Sequence, residues 1–189
     1  ENKRKELSPL DDEFAKDVSE FSTLQELRAD IENKLKEAAQ KKAESELRVA
    51  AVKKVTESAE LEIPHSMLEN RVNTMVENFA YRLQQQGIPL DYYMQATNSN
   101  IEDIKNNYRT EAEASLRSDL VLEAIAKAEN ISVSEAELEE VIKKMAEQYK
   151  KEPAKIREVM EKQGQISSLK FGIMLDKAVD FIIEQAKIS

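Results

Sequence analysis

No proline and no glycine interrupts the chain between Pro9 and Pro64, and that stretch constrains the fold more than any other. Thr23-Leu-Gln-Glu26 reads as a capping box, in which the threonine hydroxyl and the glutamate satisfy free amides at a helix start. Apolar residues then step through Leu24, Leu27, Ile31, Leu35, Ala39, Ala43, Leu47, Ala51, Val55 and Ala59. Steps of three and four lay one stripe on one helix. At the usual rise, a helix from Thr23 to Ala59 spans roughly 55 Å, more than a compact domain of this size is wide. The stripe is narrow and mostly alanine in its middle. It predicts a frame on which other helices lean, in an elongated protein.

The remaining composition points the same way. The 189 residues include only three glycines and four prolines, too few for a succession of β-hairpins. Charged residues make up 34%, above the usual quarter, which suits helices with much surface for their volume. A net charge of −9 without a basic stripe argues against nucleic acid and against an anionic membrane as partner. The absence of cysteine excludes a disulfide framework and thiol chemistry, and suits the cytosol. No stretch reaches the length of a membrane span. The chain opens at Glu1 in a polar run without a methionine, so it reads as a piece of something longer.

Residues 1–10 lack helical periodicity and read as a connector; residues 11–189 read as one all-α domain. Asp11 to Val18 suits a short helix. Ile63-Pro64 ends the long helix and starts the next, whose face is Leu68, Val72, Met75, Val76, Phe79 and Leu83. Gly87 is its expected cap. Tyr92, Tyr93 and Met94 sit in a brief helical turn. Ser99-Asn-Ile-Glu102 reads as a second capping box, opening a helix that Asn130 closes. Ser134-Glu-Ala-Glu137 is a third, and Pro153 and Gly164 bound a short helix after it. The last helix, Ile166 to about Lys187, is the most apolar and is expected to be packed by several others. Residues 66–97 and 134–163 are expected as two helical hairpins, or arms, hung on the three longest helices.

Reactive chemistry is sparse. His65 is the sole histidine, which excludes a zinc site of the usual ligand set and the common nucleophilic triads. The glutamates fall on polar faces, where solvation leaves nothing to raise a pKa for acid catalysis. Three isolated glycines make no phosphate loop. No catalytic residue, metal or cofactor is expected. Methionine usage is more informative: Met67, Met75, Met94, Met145, Met160 and Met174 are ordinary core filler on one view, and flexible contacts for varied apolar partners on the other. The hairpin 134–163 favours the second view. Met145, Tyr149, Ile156, Val159 and Met160 converge near its tip, and a lone hairpin has too little neighbouring mass to bury all five.

Several segments together are specific to a known family. Leu7-Ser-Pro-Leu-Asp-Asp-Glu-Phe-Ala-Lys-Asp-Val18, Ile63-Pro64 with Met67-Leu-Glu-Asn-Arg-Val72, Gln86-Gly87, Leu120-Val-Leu-Glu-Ala-Ile-Ala126 and Met145-Ala-Glu-Gln-Tyr149 resemble, in order and spacing, the C-terminal part of bacterial trigger factor. The resemblance implies an all-helical chaperone domain with two arms, whose inner surface holds unfolded or nascent polypeptide without ATP in the cytoplasm, in support of folding and export. By similarity Met145, Tyr149, Ile156, Val159 and Met160 fall where the second arm contacts substrate, and Met75, Phe79 and Leu83 occupy the matching helix of the first. The family's ribosome-docking domain and its prolyl isomerase domain find no counterpart in these residues. Ribosome contact and isomerase activity are therefore expected only of the longer family protein. A helical scaffold that homodimerises through its long helices stands as the alternative, although the long stripe drifts from the strict heptad that a coiled coil requires.

Overall fold

In a computed structural model of the chain, residues 10–186 are described. The connector expected at residues 1–10 thus lies outside the described residues except for Leu10, as does Lys187, the expected end of the last helix. Every regular element among the described residues is helical: α1 (Asp12–Val18), α2 (Leu24–Ser58), α3 (His65–Gln85), α4 (Leu90–Thr97), α5 (Ile101–Ala128), α6 (Glu135–Tyr149), α7 (Pro153–Lys162) and α8 (Ile166–Gln185). The all-α class predicted from periodicity is the class observed.

Local chemistry sets the boundaries. At the start of α2, the Glu26 amide donates to Thr23 Oγ1 at 3.2 Å, and Glu26 Oε2 accepts from the Thr23 amide at 3.1 Å. Ser134 and Glu137 close the same reciprocal box before α6. The expected box at Ser99 lies one residue further on. Asn100 caps α5, and Asp103 Oδ2 accepts from the Asn100 amide at 2.9 Å. Ser99 is already committed to ending α4, its amide donating to the Met94 carbonyl at 3.0 Å.

Helices α3 to α7 share one way of stopping. Each is followed by a left-handed residue: Gly87 (φ 75°), Asn98 (49°), Asn130 (53°), Lys150 (52°) and Gly164 (66°). The next amide then reaches back five residues, as in Ile88 to Leu83 at 2.9 Å and Lys151 to Ala146 at 2.9 Å. Glycine and asparagine enter this conformation at little cost; Lys150 does not.

The chain divides into two compact units within α2, at Val49 and Ala50. In the first, α1 is tied to the start of α2 by the Leu24 amide, which donates to Asp12 Oδ1 at 2.8 Å. Ala15 is fully buried, whereas Ile31, Leu35 and Val49 along α2 are exposed. The expectation that α2 carries the other helices is therefore corrected. Its apolar stripe is exposed in the middle, from Ile31 to Ala43, and half-buried towards both ends, and only Thr56 near its end is buried.

In the second unit the frame is α5. Its first half joins Val72 and Val76 of α3 in a core built around Ile104 and Ala112. Its second half contributes Leu122 and Ala126 to another core with Ala178 and Val179 of α8, and Val52 packs on that cluster. Phe79 faces Tyr108 at 6.0 Å between ring centroids, while Arg71 donates to Asp119 Oδ2 at 2.6 Å. As α3 is followed backwards α5 runs forwards, so the two are antiparallel. The first arm accordingly differs from the hairpin expected at 66–97. Helix α4 has eight residues, too short to run back along α3; it caps the end of the pair, and α5 supplies the return limb.

The second hairpin, α6 with α7, forms as expected and rests on α8. Helix α8 meets α5, α6 and α7, yet only Ala178 and Val179 are buried along it, and Phe171 is exposed.

Candidate functional site

The second hairpin closes its own core with few residues. Leu138, Ile142 and Ala146 recur every four positions and are shielded almost completely, which consumes one face of α6. Pro153 opens α7 at a position where its missing N–H costs nothing. Arg157 then ties α7 to α6: it donates to Glu135 Oε1 at 2.6 Å and to Glu161 Oε1 at 2.8 Å, and it also pairs with Glu139. Lys170 of α8 reaches Glu135 Oε2 at 3.1 Å, and Lys177 donates to Glu137 Oε1 at 2.6 Å. The base of the hairpin is thus held by charge and its middle by aliphatic packing.

The apolar residues expected to converge at the hairpin's tip are instead spread along it: Tyr149 ends α6 at the far end, whereas Val159 and Met160 follow Arg157 towards the base. Tyr149, the last residue of α6, is 60% exposed and Val159 is 50% exposed. Met145, Ile156 and Met160 are half-buried beside the core face. These are the five residues singled out from the sequence, carried by two consecutive helices that pack on each other. Apolar side chains half in and half out of a closed core can cover further apolar surface without unfolding the hairpin.

Two carboxylates here are held in their charged form. Hydrogen bonds from Arg157, then Lys170, hold the Glu135 carboxyl below its ordinary range. A hydrogen bond from Lys177, with those from the Ser134 amide and hydroxyl, holds Glu137 down at about 2. Both shifts run opposite to what a general acid needs at neutral pH. The carboxylates of Glu161 and Glu135 push the Arg157 guanidinium up. Among the described residues no group of three His, Asp or Glu side chains is placed to hold a metal. His65 stands on the surface with Glu69 Oε1 3.8 Å away.

The three residues singled out in the first arm are placed differently from one another. Phe79 is packed edge-on against Tyr93, 5.1 Å between centroids at 80°. Leu83 is only 8% exposed. Met75 lines a hollow of about 360 Å³ shared with Tyr81 and Tyr108. Tyr81, 62% exposed, also borders a second hollow of about 530 Å³ with Ala80, Ile88 and Leu90. Tyr92 on α4 is 65% exposed. Sequence reasoning missed Tyr81, which lies off the apolar face of α3. The signal was the mismatch itself, an aromatic residue among the polar positions of an amphipathic helix. A further groove of about 410 Å³ lies between Val55, Ile125, Ala128, Phe181 and Ile182.

Residues 23–184 match the family model described as bacterial trigger factor protein C-terminus. The chain is 47% identical over 188 residues to the trigger factor of Pelotomaculum thermopropionicum, covering all of this chain and 43% of that one. It is 42% identical to trigger factor 1 of Desulfitobacterium hafniense, covering 97% and 43%. The chain therefore spans less than half the length of these relatives. Among solved structures, one described by promiscuous substrate recognition in the folding and assembly activities of the trigger factor chaperone superposes with a TM-score of 0.57 at 25% identity, over 97% of this chain and 44% of that one. Another, of trigger factor domains from Thermotoga maritima, gives 0.56 at 23% identity over 76% and 83%, a likeness of fold.

Proposed function

The chain belongs to the bacterial trigger factor C-terminal family, a chaperone family, and from that membership we propose that it holds unfolded or nascent polypeptide through separated apolar patches, without ATP. The patches are the α6–α7 hairpin, with Met145, Tyr149, Ile156, Val159 and Met160 along its two limbs, and the α3 side of the first arm. In the first arm Met75, Phe79 and Tyr81 offer surface to a client, while the buried Leu83 holds the arm's shape from within. Support of folding and export in the cytoplasm follows from the same family reading. Binding alone is proposed for this chain; by the resemblance, isomerase activity and ribosome docking reside elsewhere in the longer family proteins.

One observation carries the proposal. The hairpin core is already closed by Leu138, Ile142 and Ala146, so Tyr149 and Val159 are apolar surface that folding does not use. Each 100 Å² of such surface covered by a client contributes on the order of 2.5 kcal/mol before the cost of ordering the client. One patch therefore holds weakly and releases quickly. Several patches on one unit add through effective concentration.

Fluorescence anisotropy with a labelled, permanently unfolded client tests this. The Tyr149→Ser, Val159→Ser double variant should lose most of the binding at unchanged far-ultraviolet helicity. Equal binding by variant and parent would remove the hairpin from the binding surface.

A further inference from the structure

We propose that the end of the α6–α7 hairpin selects apolar segments flanked by aspartate or glutamate, whereas the end of the first arm is indifferent to flanking charge. This rests on the holding activity proposed above and specifies which clients the second arm takes. The protein carries a net charge of −9, yet residues 143–156 hold five lysines and two glutamates. Lys144 is engaged by Glu140 at 2.9 Å. Lys143, Lys150, Lys151 and Lys155 are exposed and make no ion pair with any described residue. Lys150 and Lys151 belong to the link between the two helices, Lys155 to the first turn of α7 and Lys143 to α6, and the exposed Tyr149 is followed directly by Lys150 and Lys151.

The main chain of the link is held in place. The Lys150 amide donates to the Glu147 carbonyl at 3.2 Å and the Lys151 amide to the Ala146 carbonyl at 2.9 Å. Lys150 occupies a left-handed conformation (φ 52°) at the kind of position where glycine or asparagine closes the four similar helix ends. The backbone thus fixes where two lysines leave the chain, directly after an exposed aromatic residue. The end of the first arm has the opposite character. Between Ala80 and Asn100 there is one arginine and one aspartate, among glutamines and asparagines. Screening over about 8 Å at physiological salt leaves the nearby lysines, not the acidic remainder of the protein, to set the field that a bound segment meets. Charges at the rim of an apolar contact choose partners and speed encounter more than they tighten the complex.

The test uses the full chain and two labelled peptides with the same apolar core, one flanked by aspartate and glutamate and the other by lysine and arginine. At low salt the acid-flanked peptide should bind about tenfold more tightly, the sum of a few exposed pairs. The advantage should fade towards about 0.5 M salt, where the screening range is about sevenfold shorter than at about 0.01 M, and should reverse in the Lys150→Glu, Lys151→Glu variant. Equal affinities, a preference for the basic flank, or an advantage that survives the charge reversal would each overturn the proposal while leaving the holding activity standing. Failure of both peptides to bind would overturn both.

Discussion

Arg157 of α7 donates from Nη2 to Glu135 Oε1 at 2.6 Å, across 22 residues of sequence and onto the first turn of α6. The same guanidinium serves Glu161 within α7, and Glu135 in turn accepts from Lys170 of α8. A single arginine therefore joins both limbs of the second hairpin to a carboxylate that α8 also holds. All these groups meet water, so the cluster should set position more than overall stability. In Arg157→Ala, amide exchange should accelerate throughout α7 while α3 and α5 keep their protection. Uniform acceleration in all helices would show that the cluster stabilises the whole unit instead.

Glu137 gives a pH dependence with a definite sign. Its carboxyl is held at about 2 by Lys177 and by the capping contacts with Ser134, against an ordinary value of 4.5. A depressed folded value means that this contribution is complete above the unfolded value and is lost as pH falls from about 4.5 towards 2. Carbon-detected titration of the side chain should place its midpoint near 2. Glu137→Gln should lower stability at pH 7 and remove its part of the decline in that acid window. A midpoint in the ordinary glutamate range would mean that the Lys177 contact is not populated in solution.

The left-handed helix ends make opposite predictions for two substitutions. At Gly87 (φ 75°) a Cβ would meet nothing within 4 Å, so Gly87→Ala carries backbone strain alone. It should cost about 1 kcal/mol in urea unfolding. At Lys150 (φ 52°) the strain is already present, and Lys150→Gly should stabilise by up to about 1 kcal/mol. That variant should also weaken the preference for acid-flanked clients, because it removes one of the two lysines that follow Tyr149.

Ile142 is fully buried between neighbours that are themselves shielded, Leu138 and Ala146. Ile142→Ala should cost about 2–5 kcal/mol. If the cavity loosens only the hairpin, calorimetry should show a separate, earlier transition, with the cores around Val72 and Val179 melting as before. A single transition lowered as a whole would show that the hairpin unfolds together with the rest of its unit.

The sequence disclosed the helices better than it disclosed their partners. The boxes at Thr23 and Ser134 and the ends at Gly87, Asn130 and Gly164 depend on residues three to five apart, so local pattern suffices. The box near Ser99 slipped by one because Ser99 and Asn100 are both competent caps, and the choice is made by the end of α4. The stripe of α2 reported an apolar face truthfully, but periodicity does not say whether anything lies against that face. In α3, Leu83 and Tyr81 are two residues apart and point to different sides. The pattern marked Leu83 as surface for a client, although the core claims it, and passed over Tyr81 because it breaks the pattern. At the second hairpin, Tyr149 and Val159 were legible because a short hairpin has few places to bury a side chain.

The most direct measurement is a methyl NMR titration of all six methionines with an unfolded, non-aggregating client. Met145 and Met160 are half-buried on the two limbs of the hairpin, Met75 lines the hollow beside Tyr81, and Met174 packs against the core of α5 and α8. Shifts or broadening at Met145 and Met160, with a smaller response at Met75 and none at Met174, are the expected result. Methionine methyls that stay unmoved at saturating client, or a response confined to Met174, would contradict the assignment of the arms as the holding surface.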